Sequence, residues 1–329
     1  MALWDRVFGR REQPISYGTE PASPTLFFPR RRESVGVAER NGVRHAAPAG
    51  SVMLIQSVRL DGCLRGIGPV VADARCALVE FIGAAGQDRS VEIWSKAVAP
   101  DESRARRMLE RVAVWHRGSY LKLTNAASWR GLRCQTELRV QCARERPISF
   151  RGVYSAVSLT DLSAGADVET THGRVTLLNV CGAVAARAVN GILDYSGHKG
   201  SIRLYADWEI NLDLDSTEFD GKLEATAEGP VRVLLPSGFS TPFEARTAKD
   251  AAFICRADIR DQILRREENG RVIYTFGEGP PRVRLFSLKR PIVIDNAASP
   301  YEEAVEHAMQ RPRPPVRQGH IAADPHFQA

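Results

Sequence analysis

No apolar run in this 329-residue chain approaches the ~20 residues a membrane-spanning helix needs, so the sequence offers no helical span. Six cysteines stand at 63, 76, 134, 142, 181 and 255. None forms a Cys-Xaa-Xaa-Cys pair, which removes the usual sequence support for a zinc site, and free thiols are expected. Gly-Xaa-Ser-Xaa-Gly does not occur, and no Lys-Ser/Thr follows the glycine-rich stretch Gly62–Gly68. A hydrolase nucleophile elbow and a phosphate-binding loop are therefore both unsupported. The first eleven residues have no apolar h-region and no small-residue cleavage site. The expectation is a cytoplasmic chain with no metal, no cofactor and no membrane span, export by a route that reads another signal staying open.

What is present is a repeat. Glycines at 165, 182, 200 and 221 open successive rows of 17 to 21 residues. Mid-row turns fall at His172-Gly173, Asn190-Gly191 and Glu228-Gly229. Such pairs accept the positive φ that tight turns demand, and on either side apolar and polar residues alternate with the period of a half-buried strand. Over Asp207–Asp215 the alternation sends Trp208, Ile210, Leu212 and Leu214 one way and Asp207, Glu209, Asn211, Asp213 and Asp215 the other. One row alone buries too little apolar surface to offset the entropy of ordering it, so the rows must stand together and their ends need caps. The fold class expected is all-β: a single-stranded β-solenoid, a β-helix-like stack of rows, with one internal helix and a C-terminal helix. An antiparallel sandwich with evenly spaced hairpins is the alternative.

The rows resemble the bacterial "putative adhesin" domain family of unknown function. The residues that carry the resemblance are Val153–Leu162, Thr170–Leu177, Val189–Leu193 and Val231–Pro236. It implies a β-solenoid built from strand rows with a central glycine turn, and it supplies no catalytic residues. The third row departs from the pattern, with Trp208-Glu209 where a glycine turn belongs.

Residues 1–48 read as an extended arm interrupted by five prolines, whose first eleven residues could form an amphipathic turn. Residues 49–298 read as the solenoid domain, with the regular repeat over 148–259, and 299–329 as a short helix and tail. Stretches 51–60, 77–82 and 90–94 look like opening rows, and those at 270–276, 283–286 and 291–295 like rows that finish or cap the stack. Asp101 to about Val112 reads as a helix, Asp101 starting it and Met108, Leu109 and Val112 sharing a face. Residues 101–150 carry +6 (11 basic, 5 acidic) and residues 151–260 carry −4 (11 basic, 15 acidic), so the basic excess flanks the repeat.

Two clusters could carry function. Asp207, Glu209, Asp213 and Asp215 would line one strand face at ~7 Å steps, able to act on or bind carbohydrate, or simply to be solvated. Arg104, Arg106, Arg107 and Arg111 could grip phosphate or nucleic acid, or be the wet side of an end-capping helix. No aromatic interleaving supports nucleic acid. The leading functional expectation is a non-enzymatic scaffold or adhesin-like protein acting through contacts with other proteins or itself. Carbohydrate binding by the acidic face and nucleic-acid binding by the basic 101–146 region are the alternatives.

Overall fold

The computed structural model describes residues 26–27, 52–60, 64, 68–85, 89–124 and 133–296. Most of the arm, most of the Gly62–Gly68 stretch, and the segment 299–329 expected to hold a short helix and tail fall outside them. The chain is all-β with one α-helix, Glu102–Glu110, among the described residues. Among them no helix is long and apolar enough to cross a membrane.

From Ile148 onward the local pattern folds as read. Strand pairs are joined by tight turns: Ile148–Val153 with Ala156–Thr160, Ala166–Thr171 with Arg174–Leu178, and Ala183–Val189 with Ile192–Ser196. Lys199–Ala206 with Glu209–Asp213, and Asp220–Ala227 with Val231–Leu235, continue the series. No hairpin forms between the two strands of a row. The first strand of each row pairs parallel with the first strand of the next, Val168 opposite Ala186 and Ala186 opposite Leu204. The second pairs likewise with the second, Val175 opposite Leu193 and Leu193 opposite Ile210. One sheet of 13 strands and another of 11 result, each with two open edges.

In-register pairing turns the sequence alternation into columns. Ile148, Ala166, Val184, Ile202, Leu223, Val283 and Phe243 are neighbours across the 13-stranded sheet and all are buried. Val79, Val157, Val175, Leu193, Ile210, Val231 and Ile292 do the same across the other. Burial of these aliphatic columns between the sheets is the main stabilising term.

The order of rows in space departs from their order in the chain at both ends. The row Val70–Arg75 with Ala77–Ala84 sits directly beside the Ile148 row, and the later segments Tyr120–Thr124 and Arg133–Ala143 form the row outside it. At the other end Phe243–Ala248 with Phe253–Cys255 is the outermost row. Val283–Ser287 and Ile292–Asn296 return to fill the place between it and the Asp220 row. The consecutive repeat therefore ends at Leu235, short of the expected boundary at 259. Two of the three expected opening strands are not rows either: Val52–Leu60 and Ser90–Ala99 pair antiparallel and extend one sheet outward. Arg271–Phe276 and Leu264–Glu268 do so on the other sheet at the far end. The helix begins as read, the Asp101 carboxylate accepting from the Arg104 N–H at 2.8 Å. It buries Ala105, Met108 and Leu109 against the strands Val52–Leu60 and Ser90–Ala99.

Close stacking of turns dictates glycine. A Cβ on Gly191 would lie 2.1 Å from the Gly173 carbonyl oxygen of the row below. At the row openings Gly221 has φ +123°, and a Cβ there would lie 2.2 Å from the Gly200 carbonyl oxygen. Neither contact can relax without opening the backbone stack. Gly191→Ala is expected to destabilise by roughly 3 kcal/mol or more in urea unfolding. Gly68→Ala, where nothing lies within 4 Å, is expected to change stability by under about 1 kcal/mol.

Candidate functional site

The acidic line is built by the strand Glu209–Asp213 and its flanks. Ile210, Leu212 and Leu214 point inward and are buried, as the alternation requires. Trp208 does not join them. Its strand starts only at Glu209, and Trp208 stands in the preceding bend with 58 % of its surface exposed. Asp207 shares that bend, which makes the mid-row turn without glycine, and its carboxylate accepts the Asn190 N–H at 2.8 Å.

The other three acids each meet a neighbouring row. Glu209 pairs with Arg232 at 3.5 Å. Asp213 accepts from the Ser196 hydroxyl at 3.5 Å. Asp215 Oδ1 lies 2.9 Å from His198 Nδ1. Asp194, one row back, is held by Arg174 and by Asn211 Nδ2 at 3.0 Å. The four named acids thus spread along one face with separate partners, and among the described residues no group of three or more His, Cys, Asp or Glu is placed to share a metal ion.

Asp213 and Asp215 are close enough to feel each other. Burial of its carboxyl and the neighbouring Asp215 charge raise the Asp213 pKa above the ordinary aspartate value. Cys181 and His198 come from the two preceding rows and lie beside this pair. Burial pushes the Cys181 thiol up, with Lys199 opposing, and a raised thiol is the reverse of an activated nucleophile. The buried Tyr195 hydroxyl below them has no hydrogen-bond partner among the described residues, and burial raises its pKa.

The arginine cluster lies on the exposed side of the helix. Arg104 pairs with Asp101 at 3.3 Å and Arg106 with Glu102 at 2.8 Å, local contacts that spend both guanidinium groups on the helix's own first turn. Arg107 and Arg111 remain exposed beside them.

Two features were not picked out by sequence reasoning. Register lines up Lys122, Asp73, Arg151, Glu169, Arg187 and Tyr205 as one outward column of alternating charge. Arg151 lies 3.5 Å from Glu169, Arg187 lies 3.8 Å from Glu169, and the Arg187 guanidinium sits 5.4 Å from the Tyr205 ring centre. Tyr120 donates to Asp73 at 2.5 Å. A trough of about 640 Å³ runs beside this column over four rows, from Lys122 and Arg75 to Thr171. The stacked rings of Tyr154 and His172, 4.8 Å apart, stand on the adjoining turn. The signal for the part from Arg151 to Tyr205 was the near-constant row length, which fixes who neighbours whom once the register is known. Lys122 and Asp73 join the column through the exchanged row order, which row length does not give.

No family model matches the chain, and no curated protein matches it. Solved structures that are similar include two adhesion-related proteins. One is a "putative adhesin" from Bacteroides fragilis NCTC 9343, at 14 % identity and TM-score 0.40, covering 74 % of this chain and 97 % of that one. The other is a "putative cell adhesion protein" from Clostridium sporogenes ATCC 15579, at 11 % identity and TM-score 0.30, covering 75 % and 99 %. At these values they carry no conclusion about this chain.

The Asp213 shift has a sign that can be measured. A carboxyl whose folded-state pKa lies above its unfolded value costs stability at pH above both, and the cost fades as pH falls through the folded value. Asp213→Asn is therefore expected to raise Tm at pH 7 and to have a smaller effect near pH 3, read by calorimetry at the two pH values. Tyr195→Phe, which removes the buried hydroxyl, is expected to be neutral or stabilising by up to about 1 kcal/mol in urea unfolding.

Proposed function

We propose that this chain is a non-enzymatic β-solenoid scaffold, adhesin-like in that it works by contact, joining or spacing other proteins or copies of itself. In this reading residues 49–298 are the solenoid domain, and the segments 1–48 and 299–329 link it to partners. The observation that carries it is the in-register parallel pairing of rows. It makes a body whose outward residues recur at the ~4.8 Å strand spacing along its length, a regular face suited to repeated contacts. The alternating column from Lys122 to Arg187 is one such face, with both signs of charge presented in a fixed order.

A second reading is glycan binding along the acidic face. The closeness of Asp213 and Asp215 on one exposed strand end favours it, since paired carboxylates can accept from sugar hydroxyls. Replacing Asp213 and Asp215 together by Asn is then expected to abolish glycan binding on an array, and unchanged binding ends that reading.

For the scaffold reading, light scattering after size exclusion and affinity capture are expected to give a self-assembly or a discrete partner set. Reversal of Arg151 and Arg187 to Glu is expected to weaken that association at least tenfold. A strictly monomeric chain that captures nothing contradicts the proposal. Limited proteolysis is expected to leave a resistant fragment close to 49–298.

A further inference from the structure

The two sheets stop at different places at the end formed by residues 243–276. Beyond the outermost row the 13-stranded sheet continues through Arg271–Phe276 and Leu264–Glu268, while the 11-stranded sheet ends at Phe253–Cys255. The place where the shorter sheet would carry its next strand is a cleft of about 400 Å³. Phe253–Arg256 border it on one side and Tyr274 and Arg265 on the other, with Arg260 and Ile263 between. Tyr274 and Arg265 are register partners on the inner face of the longer sheet, and the Tyr274 and Phe253 rings stack at 3.9 Å.

The edge strand is open for pairing. The Ile292 N–H donates to the Ala252 carbonyl and the Arg256 N–H to the Ile294 carbonyl. In a parallel ladder alternate residues face the same neighbour, so the N–H and C=O groups of Phe253 and Cys255 point away, into the cleft. No described strand lies on that side. Apolar surface stands at the same place: Ile254, which borders the cleft, is 42 % exposed, and Phe253 and Ile263 line it.

Charge selects the occupant. Three guanidinium groups line the cleft and no carboxylate does, among the described residues. Arg256 is held by the Asp295 carboxylate through two hydrogen bonds, and Arg265 leans on Glu267 at 2.8 Å. Arg260 has no carboxylate partner among the described residues. A second copy fits poorly. At the opposite end of the body the strand Val52–Leu60 carries Arg59 as its one charge and the helix Glu102–Glu110 carries three arginines against two glutamates, so head-to-tail packing brings no net negative charge to the cleft. Packing two copies of this end together does the same.

We infer that this cleft is a strand-acceptor site for an acidic, extended segment of another protein. The segment hydrogen-bonds through its backbone to Phe253 and Cys255, faces carboxylates to Arg260 and Arg265, and lays an apolar side chain on Phe253 and Ile263. This rests on the contact-scaffold reading and names the chemistry of one partner.

The test uses the full chain and a fluorescein-labelled peptide of alternating glutamate and valine, with two controls: the same peptide with lysine for glutamate, and one with a central proline. Fluorescence anisotropy is expected to show binding of the glutamate peptide that weakens as salt rises. The proline and lysine peptides are expected to bind at least tenfold more weakly. The exposed pair Arg260→Glu and Arg265→Glu is expected to lower affinity at least tenfold at unchanged Tm. Hydrogen exchange is expected to show new protection of the Phe253 and Cys255 amides on binding. Equal affinity for the glutamate and lysine peptides, unchanged affinity in the double variant, or no added protection at 253–255 overturns the inference. Because the peptide is tested on the isolated chain, its failure leaves the light-scattering and capture results for the lateral faces untouched.

Discussion

The structure depends on how closely one row's backbone approaches the next at its turns. Strands in adjacent rows lie ~4.8 Å apart, and a turn that stacks at the same spacing has no room for a side chain pointing along the stack. Gly191 over Gly173 and Gly221 over Gly200 meet that demand directly. Where the third row lacks a glycine turn, Asp207 and Trp208 make the bend, and the glycine moves up one row: a Cβ on Gly229 would strike the Trp208 carbonyl oxygen. With turns in register the strands are in register, and with strands in register each alternating sequence becomes one stone in an aliphatic column. The core is thus a consequence of turn stacking as much as of hydrophobicity.

A stack of parallel rows has two ends, and an exposed last row is a template for unwanted pairing. Both ends answer in a similar way. The outermost row is not the first or last in the chain, because the chain goes past one place and fills it from the other direction, with Val70–Ala84 inside the 120–143 row and Val283–Asn296 inside the 243–255 row. Each outermost row is therefore tied to the body on two sides of the sequence. Antiparallel strands then extend the sheets, and at one end the helix Glu102–Glu110 covers the strands Val52–Leu60 and Ser90–Ala99 with its buried Met108 and Leu109. The other end leaves both edge strands, Leu264–Glu268 and Phe253–Cys255, without such a cover among the described residues.

How much of this is legible in the sequence follows from how local each determinant is. The rows from Gly165 to Leu235 are readable because glycine spacing and alternation act within a few residues of themselves. The helix is readable from Asp101 and three apolar residues for the same reason. Trp208 misleads because alternation alone does not say where a strand starts. Val70–Arg75 escapes notice because alanines take two of its three inward places, 72 and 74. The exchange of row order is not written locally at all, since Val283–Ser287 has the same strand pattern whichever row it joins. The acidic residues are visible one by one, but their partners are not: His198 meets Asp215 only because the row between them is 17 residues long.

Distance along an outward column measures the row order most directly. Arg151 and Phe286 stand five rows apart across the longer sheet, and Arg151 and Arg246 six, although 246 precedes 286 in the chain. Pairs of spin labels at these sites, read by pulsed dipolar spectroscopy, should give about 24 Å for 151 and 286 and about 29 Å for 151 and 246, at ~4.8 Å per row. A shorter distance to 246 than to 286, or distances that do not grow with the number of rows, would contradict parallel in-register stacking with exchanged end rows.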